Sequence, residues 1–186
     1  MNNCKALIIG GSAGSLDVLL KLLPDIDSSL HFPIIIVLHR KSGKESLMTD
    51  LLSNKTTMRV KEIEEKEEIK PAVIYLAPPN SHLLLEKNET FSLDASEKIN
   101  FSRPSIDVTF ESAAEVYREN LVCLLLSGAN SDGTKGLQTV KKKGGRAIIQ
   151  NPDSAIVPFM PEYALDHLEI DAVLDLKDMA QYINQL

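Results

Sequence analysis

The sequence predicts a doubly wound α/β domain, three layers deep (α/β/α), with a mostly parallel sheet and a short β-rich excursion in its middle. Three observations carry this expectation. Apolar runs bounded by turn residues alternate with segments of helical period, the pattern of a βαβ chain. Residues 33–38, ending Ile34-Ile35-Ile36-Val37-Leu38, form a continuous aliphatic run, as expected of a parallel strand covered on both faces. The length of 186 residues, with 44% hydrophobic and 25% charged residues, fits one globular domain with a real core, so residues 1–186 are read as a single unit.

Taken in order, the first strand is expected over residues 4–9. A helix follows with Ser15 as its N-cap and Asp17 in its first turn; Leu16, Leu19, Leu20 and Leu23 form its buried stripe, and Pro24 ends it. After the aliphatic strand, a helix is expected over 43–52, carrying Leu47, Leu51 and Leu52. The mixed-charge run 61–70 reads as a solvated surface segment. Short strands over 73–77, 83–86 and 91–93 are separated by Pro78-Pro79-Asn80 and Lys87-Asn88-Glu89, both good turn chemistry. The α/β pattern then resumes with a helix over 106–119, a buried strand over 121–126 and a helix over 134–143 stopped by Gly144-Gly145. Strands over 147–150 and 172–174 and a closing helix over 176–185 complete the domain.

Composition excludes several classes of function. A net charge of −6 argues against nucleic-acid binding, which needs concentrated Lys and Arg. The basic run Lys141-Lys142-Lys143 falls at a helix C-terminus, where cations favour the helix dipole. No apolar run approaches the roughly 20 residues of a membrane span, and the N-terminus lacks a signal-peptide pattern. Cys4 and Cys123 fall in apolar runs and read as buried thiols. A cytoplasmic protein without membrane insertion is expected.

Ser12 stands in Gly10-Gly11-Ser12-Ala13-Gly14, directly after the first strand and before a helix. That is the context of a nucleophile elbow: flanking glycines allow a sharp turn, and the helix N-terminus aims N–H groups at a developing oxyanion. The competing phosphate-loop readings fail, because neither nucleotide fingerprint is present. In open α/β sheets the site lies beyond the carboxyl ends of the strands, so a partner base should directly follow another strand. His39 does; His31 precedes the same strand, His167 lies late in a helix, and His82 sits at a strand entry where a structural role is favoured. An acid should arrive the same way. Asp132, in the polar loop Ser127 to Gly133, and Asp153 both qualify, with Asp107 weaker; Asp132 could equally cap the helix it precedes. Position alone leaves Asp132 and Asp153 open. The order Ser, His, Asp differs from that of the α/β-hydrolases, so the elbow does not imply their fold.

These residues, together with Tyr75-Leu76-Ala77-Pro78, Arg103-Pro104-Ser105-Ile106-Asp107 and Met160-Pro161, occur in one order over residues 7–164. The set resembles the catalytic domain of the bacterial chemotaxis protein-glutamate methylesterases. The resemblance implies a doubly wound, Rossmann-like fold and a triad of Ser12 as nucleophile, His39 as general base and then acid, and Asp132 orienting His39. It selects Asp132 over Asp153. It implies hydrolysis of γ-glutamyl methyl esters on helical chemoreceptors or related signalling proteins with release of methanol, deamidation of glutamines in some members, and no metal or organic cofactor. Backbone N–H groups of Ala13 and Ala129 are the expected oxyanion donors.

The chain departs from the family pattern at Ala13, where Thr is usual, and at Ala129-Asn130, where Met-Gly is usual. Ser102 replaces a His before Arg-Pro-Ser, and Pro158-Phe159 precedes Met160 in place of a small, glycine-containing approach. Members commonly carry an N-terminal receiver domain; here the catalytic pattern starts by residue 5, so a separate receiver or other regulator is a possible partner. Two further readings stand beside the esterase: a non-catalytic signalling adaptor, and a serine esterase of small molecules.

Overall fold

The computed structural model describes residues 4–40 and 45–186. Seven strands form one parallel sheet: β1 (Ala6–Gly11), β2 (Ile34–Leu38), β3 (Arg59–Glu62), β4 (Val73–Leu76), β7 (Leu121–Leu125), β8 (Arg146–Gln150) and β9 (Ala172–Leu174), in the order β3-β4-β2-β1-β7-β8-β9. The intervening β5 (His82–Leu85) and β6 (Phe91–Asp94) pair antiparallel as a separate hairpin, which is the expected β-rich excursion. Between the strands run α1 (Ser15–Leu22), α2 (Glu45–Ser53), α3 (Ile106–Tyr117), α4 (Thr134–Lys142) and α5 (Phe159–His167), and α6 (Leu176–Asn184) follows β9.

Alternation along the strands makes two cores, one on each face of the sheet. On one face Ile8, Ile35, Tyr75, Cys123 and Ile149 pack with α3, α4, α5 and the hairpin through Phe110, Leu137, Met160, Leu83 and Phe91. On the other, Leu7, Ile9, Ile34, Ile36, Leu124 and Ile148 pack with α1, α2 and α6 through Leu19, Leu22, Leu52, Met179 and Ile183. The result is the expected three-layer α/β/α architecture. Cys4 and Cys123 are buried free thiols. No helix among the described residues is long and apolar enough to cross a membrane.

From β1 the chain passes to β2, then to the edge strand β3, comes back to β4 between them, and crosses to β1's other side for β7, β8 and β9. The winding therefore reverses between β1 and β7. A crevice opens at the carboxyl ends of strands at such a reversal, and ligands collect there.

Local expectations shift in three places. The first helix buries Ser15, Val18, Leu19 and Leu22, an i, i+3, i+4, i+7 stripe, while Leu16 and Leu20 are only partly buried. Of Leu47, Leu51 and Leu52 on α2, only Leu52 is buried; the start expected near Gly43 lies outside the described residues. The charged run beginning at Lys61 overlaps β3, an edge strand paired to β4. Exposed charge is how such an edge avoids pairing with another chain.

Candidate active site

Register places the site. Gly11 pairs with Leu38 across β1 and β2, so Ser12 and His39 are the next residues out on adjacent strands, and the His39 N–H donates to Gly11 O at 3.1 Å. On β1's other side, Ser12 N–H donates to Ser127 O at 2.9 Å, bringing the loop after β7 alongside. Ser15 locks this turn from beneath. Its fully buried hydroxyl accepts from Ser12 N–H at 3.0 Å and donates to Ser127 O at 2.7 Å. Ser15 is thus the first residue of α1 rather than its N-cap. The cap is Gly14, at φ +85°, where a Cβ would come within 2.7 Å of the Ser127 hydroxyl.

Asp132 lies one residue before Gly133, the left-handed N-cap of α4, and its carboxylate is fully buried. It does not cap α4. His39 Nε2 lies 2.7 Å from Asp132 Oδ2, which also accepts from Ile106 N–H at 2.7 Å. Oδ1 accepts from the Ser105 hydroxyl at 2.9 Å and from Asp107 N–H at 3.1 Å, with Asn100 Nδ2 at 3.4 Å. Asp132 therefore sits on the N-terminus of α3, where free N–H groups and the helix dipole favour an anion. Asp107, in the first turn of α3, does the converse: its Oδ1 accepts from Gly133 and Gly136 N–H at 2.9 and 2.7 Å, at the start of α4. Each helix's N-terminus is held by a carboxylate belonging to the other segment. Asn100 Nδ2, 3.0 Å from Asp107 Oδ2, bridges the two.

The two carboxyl groups are driven apart electrostatically. Burial opposes ionisation of Asp132 more than any other single effect. Hydrogen bonds from His39, Ile106 and Asp107 together outweigh it and hold the carboxyl below its ordinary value. Asp107 is pushed up to about 6, first by burial; its backbone hydrogen bonds oppose the shift and the neighbouring Asp132 charge adds to it. Asp132 is thus an anion at neutral pH, and His39 satisfies it by donating from Nε2. That tautomer leaves the Nδ1 lone pair free to accept a proton.

The hydroxyl within reach of that lone pair is Ser102's, at 3.3 Å. Ser12 Oγ makes no hydrogen bond among the described residues. Ala13 and Ala129 are both exposed at the rim, and neither N–H has an acceptor among the described residues. His82 is buried and bonded on both sides, to Glu97 O at 2.8 Å and Ser105 N–H at 3.1 Å, so it supports the N-terminus of α3. His31 is exposed at the opposite edge of the sheet. His167 is exposed on α5, stacked on Tyr163. Asp153 is exposed in a turn after β8, and among the described residues it makes no hydrogen bond with His39.

Sequence reasoning missed Asn100 and Arg40. Arg40, next to His39, donates to Glu62 Oε2 at 2.6 Å and to Ala77 O at 3.1 Å. With His39, Ser102 and others it lines an open cavity of about 600 Å³. Among the described residues no cluster of His, Cys, Asp and Glu could hold a metal ion.

A family model described as CheB methylesterase matches residues 7–183. A Leptospira interrogans chain provisionally named protein-glutamate methylesterase/protein-glutamine glutaminase is 43% identical over 99% of this chain and 95% of its own length. The Thermotoga maritima protein-glutamate methylesterase/protein-glutamine glutaminase is 35% identical over 91% of this chain, which spans about half of that protein (50%). The crystal structure of the Thermotoga maritima CheB methylesterase catalytic domain superposes with a TM-score of 0.93 at 32% identity, covering 98% of each chain. With the fold, the strand-end serine and histidine and these likenesses in agreement, the chain belongs to the CheB methylesterase family.

Proposed function

We propose that the chain is a serine hydrolase that removes methyl groups from γ-glutamyl methyl esters on a helical receptor or related signalling protein and also deamidates glutamines. Ser12 is its nucleophile, His39 its general base and Asp132 the anion that orients His39. The observation that carries this reading is the juxtaposition at the carboxyl edge: Ser12 and His39 end adjacent strands, and His39 Nε2 bonds the buried Asp132 at 2.7 Å.

The Ser12 oxygen attacks the ester carbonyl carbon as its proton passes to His39 Nδ1. The resulting imidazolium is stabilised through Nε2 by Asp132. Collapse of the tetrahedral intermediate expels methoxide, which takes the proton from Nδ1 and leaves as methanol. Water, deprotonated by the same nitrogen, then cleaves the glutamyl-serine ester to a carboxylate and restores Ser12. With a glutamine substrate the leaving group is ammonia. The free N–H groups of Ala13 and Ala129 serve the oxyanion, each donor contributing on the order of 3 kcal/mol. Ser12 reaches Nδ1 only when Ser102 yields it, in keeping with the loose geometry of unliganded sites.

The reaction takes place in the cytoplasm on a methylated partner. The test is methanol release from a methyl-esterified receptor by wild type and by Ser12→Ala. Loss of release in a folded Ser12→Ala variant is expected; undiminished release would falsify the assignment.

A further inference from the structure

The cavity beside His39 is lined by Arg40, Asn80, Lys98, Phe101, Ser102 and Arg103. Three of these are cations, in a chain whose net charge is −6. Such a local reversal of sign is unexplained by stability, because like charges gathered around one cleft repel. The bonding of each cation sharpens the point. Arg103 is held by two carbonyls, Ala95 O at 2.8 Å and Ser96 O at 2.6 Å, with no carboxylate partner among the described residues. Asp94, whose charge feels Arg103, has its oxygens occupied by Ser96 at 2.8 and 2.9 Å. Lys98 is exposed and makes no ion pair among the described residues. Arg40 is 10% exposed and spends one Nη on Glu62 and Ala77 O. The Nε atoms of Arg40 and Arg103 are both buried without a partner. A buried guanidinium donor left unmatched is costly unless a ligand completes it. Phe101, 97% exposed on the rim, adds an apolar surface against which a side-chain stem can rest.

We propose that this cavity is a carboxylate subsite: Arg40, Lys98 and Arg103 receive an acidic side chain of the same segment that presents its methyl ester to Ser12. The enzyme therefore selects esters flanked by Glu or Asp over identical esters in neutral surroundings. Bidentate pairing to a planar guanidinium and a long-reaching ammonium suit a carboxylate better than a neutral amide. On a helical substrate, residues three and four positions from the ester lie on its own face, within one side-chain length. The inference rests on the esterase reading and names what that site selects.

Helix-forming peptides carrying one γ-methyl glutamate test it, with Glu or with Gln at the positions three and four residues either side. Wild type should favour the Glu-flanked peptide in kcat/KM by about tenfold at low ionic strength, the size of one well-made charged contact, and added salt should erode that ratio. Lys98→Glu should bring the ratio to one or invert it, and Arg103→Gln should reduce it. Equal kcat/KM on both peptides in wild type overturns the subsite and leaves the esterase standing, as does an undiminished preference in both variants. If neither peptide releases methanol, the esterase reading fails. The dissociation constants of the two peptides from Ser12→Ala, read by fluorescence anisotropy, then decide the subsite: tighter binding of the Glu-flanked peptide supports it, and equal constants overturn it.

Discussion

Exchanging Asp132 for Asn changes one atom and should disturb both stability and chemistry. The carboxylate accepts from His39 Nε2 and Ile106 N–H on Oδ2, and from the Ser105 hydroxyl and Asp107 N–H on Oδ1. An amide keeps one acceptor oxygen and turns the other into a donor, so either Ile106 or Asp107 must face an NH₂ group. One buried N–H orphaned costs about 1–3 kcal/mol, and removing the anion from the N-terminus of α3 costs about 1 kcal/mol more. Relief of the repulsion that helps raise Asp107 offsets part of this, leaving about 2 kcal/mol and a fall in Tm of about 4–8 °C for a chain of this size. The chemical effect is larger. If the amide nitrogen faces His39, the ring must carry its proton on Nδ1, where it cannot accept from serine; if the oxygen does, the imidazolium loses its counter-charge. A drop of about 10⁴-fold in kcat is expected, the size such an exchange has in serine-protease triads. Thermal denaturation and methanol release on one preparation read both quantities. A folded variant that keeps more than about a tenth of wild-type kcat refutes the role given to Asp132.

Asp107 supplies an independent prediction. Its carboxyl is raised from 3.8 to about 6, so between those values the native chain holds a proton that the unfolded chain has released, and stability falls as pH rises through that window. The cost is complete above pH 6 and amounts to about 3 kcal/mol. Asp132 acts in the opposite sense but below its ordinary value, where stability is lost as pH falls. Asp107→Asn keeps an oxygen for Gly133 and Gly136 N–H and should abolish the decline; urea titrations from pH 4 to 7 that show the wild-type slope in the variant refute this. At Gly133, φ is +96° and a Cβ would meet Leu125 Cδ1 at 2.6 Å and Ile106 Cγ2 at 3.0 Å. Gly133→Ala should therefore cost about 2–4 kcal/mol through backbone strain and overpacking, and an unchanged Tm in thermal denaturation counts against it.

The sheet was legible wherever burial is two-sided. Ile34 to Leu38 announces a strand because every position is apolar. By contrast, β3 is hidden, because an edge strand with exposed Arg59 and charged Lys61 and Glu62 looks like any solvated run. The α1 stripe was misplaced because Ser15 faces inward: it is polar, and only its bonds to Ser12 and Ser127 show why it belongs there. Ser12 and His39 could be placed from their neighbours alone, each directly after an apolar strand. Asp132 could not be separated from Asp153 that way, since both follow strands. What distinguishes them is the N-terminus of α3, a contact spanning 26 residues to Ile106, which local pattern does not encode. Arg40 and Asn100 escaped for the same reason: their partners, Glu62 and the two aspartates, become neighbours only through the tertiary fold.

The crossed arrangement of Asp107 and Asp132 bears on when the protein becomes dangerous to its surroundings. The pairing of β1 with β2 is enough to bring Ser12 and His39 side by side. The oriented anion arrives only when α3 and α4 seat against one another, because the bonds that hold each carboxylate are the bonds that seat the helices. On the proposed triad, a chain in which α3 and α4 have not seated against one another carries a disarmed hydroxyl at Ser12. Recovery of hydrolysis during refolding should trail recovery of sheet structure, and the turnover number doubles as a gauge of native packing.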